Sequence, residues 1–151
     1  WLPTTTVTLA SAVFQETLRL RPPVWLISRR AVAQDVVAGV SLRAGDEVLI
    51  LPGATSPDRS FEPRRAARGQ APSNAFAFGA GQRSCPGVSL AAMEGVVWLA
   101  IVASRVRLRP SSPATPQPLA RMSQAPAGGA VVDVRARTAS EQVRPTARSS
   151  A

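Results

Sequence analysis

The 151-residue chain contains no histidine, lysine or tyrosine, and its only cysteine is Cys85. Each absence removes a class of chemistry. Without histidine, no Ser-His-Asp triad, Cys-His nucleophile or histidine-ligated zinc site can be assembled from these residues. A single cysteine rules out an intramolecular disulfide and suits a reducing compartment, so a cytoplasmic protein is expected. All 18 basic residues are arginine, against nine acidic residues, for a net charge of +9. The arginines are scattered over the whole length with few aromatics between them, which favours a solvated, biased composition over a nucleic-acid partner. The skew toward arginine, alanine, proline and glycine resembles the coding bias of a high-GC bacterium. Long apolar runs are also lacking. The longest, residues 95–103, is too short to cross a bilayer and is bounded by Glu94, so no membrane segment is expected. No signal-peptide pattern is visible. The chain opens on Trp1 rather than methionine, which reads as a fragment of something longer.

Periodicity predicts mainly helix with small β-sheets, an α+β arrangement. After an irregular lead-in over residues 1–9, a helix is expected from about Ala10 to Leu20, stopped by Arg21-Pro22-Pro23. At 100° per residue, Leu9, Val13 and Leu20 share a side with Glu16, while Phe14 and Leu18 fall opposite. A helix apolar on both sides is buried, and Glu16 and Arg19 would be buried with it. Glu-x-x-Arg is otherwise an ordinary surface pair, and the two readings stand about level. Strands are expected at 24–28, 36–38 and 47–51, forming one small antiparallel sheet. Residues 52–73 read as an irregular meander, long enough to suggest packing against a ligand domain. A second helix is expected from Pro86 to Ala103, with Leu90, Met93, Val97 and Ile101 on a core-facing side. Residues 105–109 alternate like a short strand. Residues 110–120 read as a Pro/Ser-rich linker, 121–137 as a weak β-hairpin about Ala127-Gly128-Gly129, and 138–151 as a disordered tail.

The run Phe78-Gly79-Ala80-Gly81-Gln82-Arg83-Ser84-Cys85-Pro86-Gly87 makes chemical sense if something non-protein sits against it. Glycines let the backbone approach a flat ligand. A cysteine at a helix N-terminus has its thiolate stabilised by the unpaired amides and dipole there, and Arg83 can neutralise an acidic ligand group. The bland alternative is a buried free cysteine. A dinucleotide loop is excluded, because the third glycine, a following Lys-Ser/Thr and a parallel-sheet unit are all missing.

Phe78-x-x-Gly81-x-Arg83-x-Cys85-x-Gly87, continued by Ala91 and Glu94, resembles the heme-binding signature of the cytochrome P-450 family. Upstream, Glu16-Thr17-Leu18-Arg19 with Pro22-Pro23 is similar to the family's Glu-x-x-Arg helix, and Phe61-x-Pro63-x-Arg65 to its meander. The glycine pair Gly128-Gly129 is similar to its C-terminal turn. The resemblance covers about residues 9–137 and implies that 1–109 is the C-terminal heme-binding part of such a domain, incomplete at its N-terminus. It further implies heme b as cofactor, with Cys85 as axial iron ligand and Arg83 as a propionate partner. Either Arg29 or Arg30 would be a second propionate partner. Phe78 would lie against the porphyrin, and Gly81 and Gly87 would permit its approach. Glu16, Arg19 and Arg65 would form a structural triad. A thiolate ligand favours O–O cleavage at iron, so the implied activity is a monooxygenase acting on a small organic substrate, with a ferredoxin or flavoprotein as electron donor.

The sequence departs from the family pattern in three places. No His-Arg pair stands near Gly53-Ala54-Thr55, Arg64 replaces a common acidic residue, and the central helix with its acid-threonine pair is absent, so no catalytic residue is assigned. Alternatives are therefore a truncated, non-catalytic relic of such an enzyme and, more weakly, an arginine-rich nucleic-acid-binding module.

Overall fold

A computed structural model describes residues 4–54, 58–68, 76–113, 116–138 and 141. Two helices carry the architecture: α1, Thr4–Leu20, and α2, Val88–Arg105. Between and after them lie eight short strands: β1, Ile27–Arg30; β2, Asp35–Val37; β3, Val40–Leu42; β4, Glu47–Ile50; β5, Val106–Pro110; β6, Pro118–Ala120; β7, Gln124–Pro126; and β8, Val132–Ala136. All pair antiparallel in two-stranded sheets, β1 with β4, β2 with β3, β5 with β8 and β6 with β7. The α+β expectation stands.

Several boundaries differ from expectation for identifiable reasons. Helix α1 starts at Thr4 rather than Ala10. Nothing between Thr4 and Ala10 breaks a helix, and Pro3 in the sequence is a residue favoured at helix starts. Its end after Leu20 is where the prolines put it, with Arg21 N–H donating to Thr17 O at 2.7 Å. Strand β1 begins at Ile27 instead of Val24, because the preceding residues turn toward β6 and β7. Gln124 N–H donates to Pro23 O and Trp25 Nε1–H to Arg121 O, each at 2.7 Å.

The single expected sheet is two separate ladders. The extra one is a hairpin of β2 and β3, turned by Ala38 and Gly39 at φ 50° and 81°. Positive φ at both central residues suits a right-twisted hairpin, but Ala-Gly is a weak signal for it, and β3 falls outside the sequence expectation.

The weak hairpin expected over 121–137 does not close on itself. Its second strand, β8, pairs instead with β5, in the register Leu108↔Val134 and Arg109↔Asp133. Gly128 and Gly129, at φ 73° and 78°, turn the chain out of β7. The run 110–120 also ends in a strand, β6. Of the tail 138–151 only Thr138 and Glu141 belong to the described residues, and parts of the lead-in (1–3) and meander (55–57, 69–73) lie outside them.

Helix α2 runs from Val88 to Arg105, two residues later at each end than the sequence suggests. Over its full length, with Glu94 and Arg105 its only charges, it is long and apolar enough to cross a membrane by length and composition alone. The nine-residue apolar run is too narrow a window to show this.

The core lies where α1 meets α2. Ala10, Leu18, Ala77 and Ala100 are its buried apolar residues among those described. The helices approach closely because Gly95 has no side chain. A Cβ there would overlap the ring of Phe14, whose Cζ is 3.0 Å from that position. The face of α2 opposite this contact carries Leu90, Met93, Val97 and Ile101, the side expected in a core, and every one of them is exposed.

Candidate heme-thiolate site and its ionic support

The cysteine loop is shaped by its glycines. Gly79 and Gly81 have φ 73° and 68°, a region where L side chains are strained. A Cβ on Gly79 would also lie 3.4 Å from Arg83 O. The loop is closed by backbone bonds: Cys85 N–H donates to Phe78 O at 2.8 Å, Gly79 N–H to Phe76 O at 3.0 Å, and Ser84 N–H to Gly81 O at 3.1 Å. A short 3-10 turn, Gly81–Arg83, carries the chain to Cys85, and α2 begins three residues later.

Cys85 is a free, exposed thiol at the α2 N-terminus. It borders a cleft of about 440 Å³ walled by α1 residues Phe14 and Leu18, by Phe78, and by α2 residues Val88, Ala92 and Val96. Among the residues proposed from sequence, Phe78 and Cys85 both line this cleft, while Arg83, Arg29 and Arg30 do not. All three arginines are exposed. Arg29 and Arg30 sit on β1 opposite Val48 and Glu47, and Arg29 Nη1 donates to the neighbouring Ser28 O at 2.8 Å. Gly87 stands next to the sulfur, where a Cβ would be 3.8 Å from Cys85 Sγ.

The donor set fits a metal group that brings most of its own ligands. No group of three or more His, Cys, Asp or Glu that could hold a bare ion occurs among the described residues. What is present is one accessible sulfur, beside a backbone kept free of side chains by Gly79, Gly81 and Gly87 and a mainly apolar cleft wall that also carries Ser11, Gln15 and Ser84. A flat, apolar metallo-macrocycle needing one thiolate from the protein satisfies that chemistry.

Behind α1 lies the ionic support. Glu16 and Arg19, each 2% exposed, form a two-pronged pair: Arg19 Nε donates to Glu16 Oε2 at 2.8 Å and Nη2 to Oε1 at 2.7 Å. The guanidinium also reaches the meander, donating to Asp58 O at 2.5 Å and Ser60 O at 2.7 Å. Glu62 N–H donates back to Glu16 Oε1 at 2.9 Å. The Arg19 hydrogen bonds draw the Glu16 carboxyl down to about 2 against the cost of its burial, and the Glu62 amide and Arg65 add to the effect. Arg19 is correspondingly held above its ordinary value by Glu16.

Arg65, half-buried, joins from the 3-10 segment Pro63–Arg68. Its Nε lies 3.5 Å from Glu16 Oε1 without an aligned hydrogen bond, whereas its Nη2 sits 2.6 Å from Asp58 Oδ2. The structure therefore brings Glu16, Arg19 and Arg65 together, and adds Asp58 as a fourth member that sequence reasoning misses. Asp58 Oδ1 accepts the Ser60 hydroxyl at 2.7 Å and the Ser60 N–H at 2.8 Å. These bonds, with Arg65, hold its carboxyl far below the ordinary range. The Asp-x-Ser spacing is the available signal, since Asp turns commonly accept the N–H two residues on.

Comparison with known proteins identifies the family and the fold. The profile of the family described as Cytochrome P450 matches residues 4–129. Cyclooctatin synthase of Streptomyces melanosporofaciens is 33% identical over 74% of this chain and 27% of its own length. Thromboxane-A synthase of Sus scrofa is 34% identical over 71% of this chain and 22% of its own. A six-coordinated cytochrome P450 from Thermus thermophilus superposes with a TM-score of 0.73 at 33% identity, covering 87% of this chain and 37% of that one. The cytochrome P450DA heme domain reaches a TM-score of 0.77 at 21% identity, covering 91% of this chain and 33% of that one, a likeness of fold. The chain thus matches between 22% and 37% of the length of these relatives. With the matched profile covering most of its length, the glycine-shaped cysteine loop at the start of α2 and the Glu16–Arg19 pair in α1 lie in a chain that belongs to the cytochrome P450 family.

Proposed function

We propose that these residues form the C-terminal heme-binding part of a heme-thiolate monooxygenase, with Cys85 as the axial ligand of heme b. The observation that carries this reading is the accessible Cys85 thiol on a loop whose glycines at positive φ keep the adjoining surface bare. When bound, heme with a thiolate ligand supplies the capacity to activate dioxygen for insertion of one oxygen atom into an organic substrate.

The chain's own residues would do the rest. Cys85 presents its sulfur at the α2 N-terminus, where unpaired amides favour negative charge. Phe78 and the apolar wall of α1 and α2 keep water from one side of the ligand. Arg83, exposed on the loop but outside the cleft lining, would have to swing in to meet an acidic substituent, as would Arg29 or Arg30 from β1. Glu16, Arg19, Arg65 and Asp58 hold the meander on α1 and thereby fix the helix that backs the cleft. A small organic substrate and a ferredoxin or flavoprotein donor complete the reading.

The test is a titration of the purified chain with ferric heme, read by its absorption and by the carbon monoxide adduct after reduction. A thiolate-type spectrum is expected for the wild type and is lost in Cys85→Ser with the far-UV circular dichroism unchanged. Identical spectra for the two proteins would remove Cys85 as the ligand. A non-catalytic relic that cannot bind heme productively is the second reading, favoured by the positions of Arg83, Arg29 and Arg30, none of which lines the cleft. It predicts that the wild-type chain gives no thiolate-type spectrum in the same titration.

A further inference from the structure

At the end of α2 away from Cys85, the β5–β8 ladder sets two arginines directly opposite each other, Arg107 and Arg135. Like charges facing across a ladder repel. Two places along on the same face, Arg109 stands opposite Asp133, the only acid in either strand. The strands themselves therefore leave the first pair without a counter-charge.

That counter-charge comes from beyond β8. Glu141 Oε1 accepts a hydrogen bond from Arg135 Nη2 at 2.8 Å and lies 3.0 Å from Arg107 Nη2. Its other oxygen, Oε2, accepts the Thr138 N–H at 3.0 Å and the Thr138 hydroxyl at 3.3 Å. Two guanidinium groups, an amide and a hydroxyl converge on one carboxylate. The Glu141 side chain is 23% exposed, against 43% for Arg107 and 63% for Arg135. The carboxylate is the most enclosed member, and its donors stay open to solvent.

We propose that Arg107, Arg135 and Thr138 form an oxyanion site for the dianionic phosphate group of a small soluble phosphate monoester, and that Glu141 is its tethered occupant in the unliganded chain. Charge decides the class of ligand. The two guanidinium groups carry two positive charges and Glu141 returns one negative charge, so the site as filled keeps an excess of one. A phosphate dianion cancels both charges and brings three acceptor oxygens where a carboxylate brings two. The planar fork of arginine matches phosphate geometry. A carboxylate from outside equals Glu141 in charge but lacks its tether, so it competes poorly.

The site stands apart from the cysteine cleft. Helix α2, 18 residues long, lies between Cys85 and the ladder, roughly 27 Å at the rise of an α-helix. None of Arg107, Arg135, Thr138 and Glu141 lines the cleft. All but Arg107 also fall outside residues 4–129, the stretch that the family profile matches. Phosphate binding here does not rest on the heme-thiolate reading.

Inorganic phosphate is the probe, titrated into the full chain at a pH of about 7.5, where it is mainly dianionic, with chloride exchanged to hold ionic strength constant. Two-dimensional NMR follows the Thr138 amide and the Nε–H signals of Arg107 and Arg135. A saturable shift of all three is expected in the wild type. Glu141→Gln removes the occupant, and half-saturation should fall to a roughly tenfold lower concentration, as for a site that Glu141 leaves open about a tenth of the time. Asp133→Asn changes the net charge equally and should leave half-saturation within about twofold. In the Glu141→Gln chain, Arg135→Gln should weaken binding by about tenfold or more. Arg107→Lys, which keeps the charge of the ladder but loses the fork, should weaken it by several-fold. Absence of a saturable shift in Glu141→Gln would overturn the site. Equal half-saturation in the wild type and Glu141→Gln would overturn Glu141 as the occupant. An equal gain from Asp133→Asn would reduce the effect to net charge, and binding unchanged by both arginine substitutions would place the phosphate elsewhere. Either result would overturn the proposal.

Discussion

The ring of Phe14 on α1 occupies the space that a side chain at residue 95 of α2 would need, so Gly95 sets how closely the two helices meet. A methyl group there must push the ring aside or part the helices. Gly95→Ala is expected to destabilise the chain by about 1–3 kcal/mol despite the better helix propensity of alanine. Urea unfolding measures it, and Phe14→Leu in the Gly95→Ala background should recover part of the loss. Simple additivity of the two substitutions would show that the ring does not limit the approach.

The Glu16–Arg19 pair is buried and is bonded further to the meander backbone. Removing one partner strands the other in the interior. Glu16→Ala and Arg19→Ala should each cost about 3–5 kcal/mol, and the double substitution should cost less than their sum. Equilibrium unfolding of the three variants distinguishes these outcomes.

Asp58 holds its own backbone turn through Ser60 and reaches across to Arg65. Asp58→Asn keeps the size and weakens the charge-assisted bonds. Faster amide hydrogen exchange is expected at Ser60, and at Glu62 through the loosened meander, with α2 amides unaffected. Unchanged exchange at Ser60 would mean that the turn holds without the carboxylate.

Acid should loosen the chain in a defined window. Glu16 is drawn from an ordinary 4.5 to about 2 by the Arg19 hydrogen bonds, so the unfolded chain binds its proton first as pH falls. Its contribution is complete above about 4.5 and is lost progressively toward about 2. Glu141 is drawn to about 2 chiefly by the Thr138 amide, with Arg107 and Arg135 assisting, and acts in the same direction. Unfolding free energy should therefore be nearly level from neutrality to about pH 5 and fall below it. Glu16→Gln should be less stable at neutrality and show a shallower acid slope.

Some of this is legible in the sequence because local rules decide it. The Arg21-Pro22-Pro23 stop and the placement of Cys85 just before a helix follow from dihedral and periodic preferences alone, whereas periodicity leaves a buried and a surface reading of Glu16 and Arg19 level, and the packing decides for burial. The spacing of Leu90, Met93, Val97 and Ile101 reads correctly as helical, but it marks the face opposite the one that packs. The packing contact is made at Gly95, whose value is the space it leaves for Phe14, and hydrophobic periodicity does not register space. The β5–β8 ladder escapes the sequence because pairing over so many intervening residues leaves no local trace, while a glycine pair advertises a nearby turn. Asp58 escapes it because its role depends on where Arg65 arrives, and that position is a tertiary fact.

Cys85 is at once the lone thiol and an exposed one, and this limits how oxidation can cross-link the chain. With no second sulfhydryl in the sequence, the only disulfide two copies can form joins Cys85 to Cys85, setting two α2 N-termini end to end. Such a dimer would occupy the sulfur, so under the proposed heme-thiolate reading oxidation to it and iron ligation by Cys85 would exclude one another.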